Sequence, residues 1–104
     1  MRYEELKDAI TNAMISVSPE ASDVLQYVLD RYDEDSEDID ESSVYDAISE
    51  ECDSMFTYYS DAWDYLRDNG ITDFDEAINE CGCTNVCSIA WYYLRQEVEG
   101  ELCL

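Results

Sequence analysis

The chain has no histidine, one lysine, four arginines, one proline and three glycines in 104 residues. Without an imidazole, nucleophilic chemistry through a Ser-His or Cys-His pair is not available. The shortage of bases is as telling: five stand against 27 acids, a formal net charge of −22 and a pI near 4.1. That sign repels nucleic acid and anionic membrane surfaces, so direct binding to either is excluded. Few prolines and glycines argue against a loop-rich or all-β protein. No apolar run approaches the ~18 residues of a membrane helix. The start, MRYEELKDAITNAMISV, carries acids within its first five residues and lacks the apolar stretch of a secretion signal. No phosphate loop or dinucleotide fingerprint is present. These absences predict a cytoplasmic protein that is not an enzyme and uses no cofactor.

What is present is apolar enough to fold. Hydrophobic residues make up 46%, with nine tyrosines and two tryptophans, more than a disordered chain carries. The length predicts one domain. We therefore expect an all-α fold, a compact single-domain bundle of about five helices spanning residues 1–104.

Helical spacing of Tyr3, Leu6, Ile10, Ala13, Met14 and Val17 predicts a first helix from Tyr3 to about Met14 or Ser16. Ser18-Pro19-Glu20 then combines an N-cap, a proline at the first helical position and an acid in the first turn. The second helix is expected to reach about Tyr32, burying Val24, Leu25, Val28 and Leu29. Residues 33–38 hold no apolar side chain and read as a loop or a frayed helix end with unfavourable dipole chemistry. Ile39 before Asp40 suits a hydrophobic staple preceding an N-cap. From Val44 to Asn69 there is no glycine or proline. Val44, Ile48, Cys52, Met55, Tyr59, Ala62 and Leu66 form an apolar stripe, and Asp46, Glu50, Asp53, Thr57, Asp61, Asp64 and Asp68 form a polar one. This is one long helix or two; a break near the TYY at 57–59 is favoured. Asn69-Gly70 ends it. Thr72 is expected to cap a short helix from Asp73 to Cys81, stopped by Gly82. Thr84 or Asn85 starts a last helix to about Glu99, stopped by Gly100.

The residues fit none of the common site chemistries. The five cysteines, Cys52, Cys81, Cys83, Cys87 and Cys103, are odd in number and read as reduced thiols. The C-x-C-x3-C run is not a common zinc spacing, and no metal site is expected. An EF-hand loop started at Asp33 puts Asp38 where glycine is needed and Val44 where the bidentate glutamate belongs. Carboxylate pairs for acid–base work arise by chance in so acidic a chain. The aromatic runs YYSDAW and WYYLR lack the basic groove that base stacking needs and are expected to pack into the core.

The acids are concentrated. DRYDEDSEDIDE, residues 30–41, has eight carboxylates and one cation, and no base occurs between Tyr32 and Leu66. Ordinary surfaces intersperse both signs. The candidate binding residues are therefore Asp30, Asp33, Glu34, Asp35, Glu37, Asp38, Asp40 and Glu41, continued by Asp46, Glu50, Asp53, Asp61, Asp64 and Asp68, with Glu4, Glu5 and Asp8 to complete the pattern. A continuous helix would extend the second group over about 33 Å.

In charge density and class, carried by DRYDEDSEDIDE and the row through Asp68, the chain resembles the small acidic DNA-mimic proteins of phages and mobile elements, the antirestriction and anti-CRISPR class. The segment YYSDAWDYLRDNGITDFDEAINECG is also similar to uncharacterised proteins of gut-bacterial phages. The resemblance implies an inhibitor in a bacterial host cell that occupies the nucleic-acid groove of a basic nuclease, defence complex or other DNA-binding protein. The alternative is an acidic interaction module that binds its partner through an apolar or aromatic patch, its acids serving solubility. A homodimer is left open.

Overall fold

Two short elements at the chain's centre decide how the rest is arranged: a buried isoleucine ahead of one helix and a buried phenylalanine behind it. In a computed structural model describing residues 1–102, six α-helices form around one apolar core, with no strand among the described residues. They are α1 (Tyr3–Ala13), α2 (Pro19–Asp30), α3 (Glu41–Met55), α4 (Tyr59–Asp68), α5 (Phe74–Cys81) and α6 (Val86–Glu101). α2, α3 and α6 pack on one another; α1 lies on α2, while α4 and α5 lie on α6. The backbone measures 45 × 22 × 21 Å, more elongated than a sphere. No described helix is long and apolar enough to cross a membrane.

Local chemistry sets most boundaries. Ser18 caps α2 by accepting from the Ala21 N–H at 3.3 Å, with Pro19 at the first helical position. Asp40 caps α3 through the Ser42 N–H at 3.0 Å, and Ile39 before it is 5% exposed. At the end of α4, Gly70 adopts φ +76°, while Ile71 N–H reaches Leu66 and Gly70 N–H reaches Arg67. This is the paired-bond stop that a left-handed glycine permits.

The count is six rather than about five because the 41–69 region makes two helices. Phe56 leaves helical geometry (φ −114°, ψ 75°), turns inward and packs on Tyr65 with ring centroids 5.2 Å apart. The break re-phases the following helix: α4 buries Ala62, Tyr65 and Leu66, and Tyr59 is left 62% exposed instead of continuing the apolar stripe.

Two further boundaries differ from expectation. Asp73, not Thr72, caps α5, its carboxylate accepting from Glu76 N–H at 3.1 Å. Asn85 caps α6, but Gly100 does not end it. The helix runs on to Glu101 because Leu102, bonded back to the Val98 carbonyl, is seated in the core. The expected short tail at 103–104, with Cys103, lies outside the described residues.

Candidate functional site: an outward carboxylate surface

The acidic run after α2 is held to the beginning of the chain by main-chain bonds. The Met1 amino nitrogen donates to the Ile39 carbonyl at 2.7 Å, and Ile39 N–H returns a bond to Met1 at 2.8 Å. Tyr3 N–H reaches the Ser36 carbonyl at 2.9 Å, and Ser36 N–H closes a turn on Asp33 at 3.0 Å. With Ile39 as a core plug, the loop's backbone and one side chain face inward. Asp33, Glu34, Asp35, Glu37 and Asp38 are all exposed, as are Asp40 and Glu41 where α3 starts. The same pinning brings Glu4 of α1 beside them: Glu4, Glu34, Asp35 and Glu37 share a hollow of about 510 Å³ with Arg2 and Tyr3.

All fourteen candidate carboxylates are exposed. They do not form one uninterrupted row. Asp46, Glu50 and Asp53 lie on α3, and Asp61, Asp64 and Asp68 on α4, with the turn at 56–58 between. Ten α4 residues span only about 15 Å and fifteen α3 residues about 22 Å.

Three candidates also touch arginines. Arg31 bonds Glu50 at 2.7 Å and Glu51 at 2.8 Å, contacts that raise the guanidinium pKa, most through Glu51 and then Glu50. Arg67 holds Asp64 at 3.2 Å and Asp68 at 3.5 Å. Such exposed pairs contribute little energy and leave the carboxylates open to a partner. Asp30 accepts from Gln26 at 3.0 Å, and Asp40 remains exposed while capping α3.

Two features depart from the expectations of the sequence. Glu20, at the start of α2, meets Asp61 and Asp64 across a hollow of about 240 Å³ floored by Met55 and Phe56. The packing of α2 and α4 against α6 brings it there. The aromatic run YYSDAW is also not core: Tyr58, Tyr59 and Trp63 are 70%, 62% and 49% exposed. Its sequence signal was the break at 57–59, which frees the residues after it from the earlier stripe. By contrast, the WYYLR aromatics are half-buried, with the Trp91 indole N–H bonded to the Ser49 carbonyl at 3.1 Å.

One carboxylate works inward. Glu97 accepts from the Ser18 hydroxyl (2.7 Å), the Ser18 N–H (3.2 Å) and the Tyr65 hydroxyl (3.0 Å), tying α2, α4 and α6 together. Burial and then the charge of Glu97 push the Tyr65 phenol well above its ordinary pKa. Of the cysteines, Cys52, Cys81, Cys83 and Cys87 are free thiols, and burial pushes Cys52 up to about 12. Among the described residues no group of three or more His, Cys, Asp or Glu side chains is arranged to hold a metal ion.

No family model, curated protein or solved structure matches this chain.

Proposed function

We propose that this protein is a non-enzymatic inhibitor that occupies the nucleic-acid groove of a basic nuclease, defence complex or other DNA-binding protein. The supporting observation is charge per unit length. A net −22 along 45 Å is one negative charge per about 2.0 Å, against one per roughly 1.7 Å of duplex axis. The candidate carboxylates point outward on a backbone that is held in place, so little ordering is needed when they meet a cationic groove. Long-range attraction of this strength speeds encounter and selects partners by sign. Because the acids fall in groups on the pinned loop, α3 and α4, the mimicry is of potential and spacing rather than of a phosphate strand.

The test is neutralisation of the loop without disturbing its anchors. Replacing Asp33, Asp35 and Asp38 by Asn together with Glu34 and Glu37 by Gln leaves Ile39 and the Asp40 cap intact. Partner binding should fall at least tenfold and its salt dependence should flatten, with the urea midpoint unchanged or higher. Undiminished binding by this folded variant would rule the reading out.

A second reading is favoured by one observation, the exposed cluster of Tyr58, Tyr59 and Trp63. An interaction module binding through this patch alone would hold its partner at high salt and ignore competing DNA.

A further inference from the structure

Charge accounts for attraction to a basic partner but not for what is gripped once contact is made. Among the described residues, three of the five exposed large hydrophobic side chains fall within six residues, at Tyr58, Tyr59 and Trp63. We propose that Trp63 and Tyr59 form the seat for an arginine side chain of the basic partner, the guanidinium lying against the rings while flanking carboxylates hold its charge. This rests on the reading of a basic partner given above.

The shape of the surface fits such an anchor. The Trp63 indole stands between two hollows. One, of about 420 Å³, includes Tyr59, Phe74 and the start of α6 at Val86; the other, of about 310 Å³, includes Arg67, Ile71 and Thr72. Phe74 backs the indole with ring centroids 5.0 Å apart at 38°, so the ring is supported while half of its surface stays open.

The charges fit as well. The one cation lining these hollows, Arg67, is already neutralised by Asp64 and Asp68. Past Ile71 and Thr72 the surface continues into a third hollow that brings Asp73, Glu76 and Glu80. The acids thus gather on one side of the aromatic seat, beyond Arg67, Ile71 and Thr72, and the side that Tyr59 lines with Thr84 and Asn85 is uncharged. A purely apolar occupant would cover those carboxylates without pairing them, which costs desolvation. A guanidinium suits both parts: it is planar, weakly hydrated, stacks on aromatic faces and donates to carboxylates in a fork. Tryptophan is the best aromatic acceptor of a cation. The chain makes the same contact internally, with the Arg95 guanidinium 5.1 Å from the centre of the Trp91 ring.

The experiment uses the intact protein and two capped peptides of equal length and charge, an Arg-Gly repeat and a Lys-Gly repeat, at physiological salt. Affinity is measured by calorimetry, and the two indole N–H signals are followed by NMR. The arginine peptide is expected to bind several-fold more tightly than the lysine peptide, because a guanidinium stacks on the ring and donates in a fork where an ammonium does neither. It should move the Trp63 signal and leave that of Trp91, whose ring Arg95 already covers. Trp63→Ala and, separately, Tyr59→Ala should weaken the arginine peptide more than the lysine peptide and so lower the arginine preference. Tyr59 is 62% and Trp63 49% exposed, so both variants should keep the native far-UV spectrum. Equal affinity for the two peptides, or a preference that survives Trp63→Ala, would overturn the seat. So would a Trp63 signal that moves with a Leu-Gly peptide as strongly as with the arginine peptide, or that shifts with protein concentration alone, indicating an apolar occupant or a second copy.

The loop variant separates this result from the broader reading. Neutralising residues 33–38 should weaken both peptides alike and preserve the arginine preference. If it leaves both affinities unchanged, the carboxylate surface loses its support whatever Trp63 does. If the preference alone is absent, the seat falls and the carboxylate surface stands.

Discussion

Glu97→Ala should destabilise the fold more than removal of any loop carboxylate. The residue accepts three hydrogen bonds, two from Ser18 and one from Tyr65. The Tyr65 side chain is 2% exposed, so its hydroxyl has little access to replacement water. A buried hydroxyl left without a partner costs about 1–3 kcal/mol, and hydrogen bonds to a charged acceptor contribute about 1.5–3 kcal/mol. The Ser18 contacts are partly open to solvent and add less. The sum is about 3 kcal/mol, which for a chain of this size lowers the melting temperature by roughly 4–8 °C per kcal/mol. Urea denaturation with a common slope reads the change directly. The double variant Glu97→Ala, Tyr65→Phe sharpens the reasoning. Removing both ends of the Tyr65 bond abolishes the orphaned hydroxyl, so the pair should cost less than the two single changes added together. A Glu97→Ala protein as stable as the parent, or strictly additive single changes, would refute the assignment of Glu97 as an internal tie.

Two other outcomes follow from the charge and the core. Raising ionic strength from ~0.01 M to ~0.15 M, which shortens the Debye length from about 30 Å to about 8 Å, should raise the urea midpoint, since 27 acids face only five bases; a midpoint that falls would mean attractive ion pairs dominate. For Cys52, burial holds the folded thiol at about 12 against an ordinary value of 9.0, so the unfolded chain releases the proton first as pH rises. Its contribution to stability is therefore full below pH 9 and is lost between pH 9 and 12, at roughly 1 kcal/mol per pH unit. Denaturation at stepped pH should show a shallower decline for Cys52→Ala than for the parent; parallel declines would contradict the buried placement.

Where a boundary is set by local chemistry, it was readable. Ser18-Pro19-Glu20 and Asn69-Gly70 act as stops and starts because their side chains and dihedrals complete nearby backbone bonds. Asp40 behaves the same way, with Ile39 as its apolar neighbour. Where tertiary packing competes, reading failed. Gly100 has the residue type of a helix stop, but burying Leu102 extends α6 through it. Tyr59 keeps the right spacing for the apolar stripe, yet Phe56 takes the core position first and turns the stripe elsewhere. The abundance and outward direction of the loop acids were legible in residues 30–41. Their fixation was not, because it is made by main-chain bonds from Met1 and Tyr3, which leave no mark in side-chain identity. Glu20 and Glu97 illustrate the same limit: one acid joins a surface group and the other is tied inside, and only the packing of α2 and α4 against α6 distinguishes them.

The most direct measurement is displacement. Immobilised protein is loaded with binding partners from a bacterial lysate and then challenged at constant ionic strength with duplex DNA or with polyglutamate of equal charge. Duplex DNA should release the partners at far lower concentration than polyglutamate, and in a separate arm raised salt should lower the concentration of DNA needed. Partners that stay bound in excess DNA, or that polyglutamate displaces equally well, would contradict the proposed mimicry.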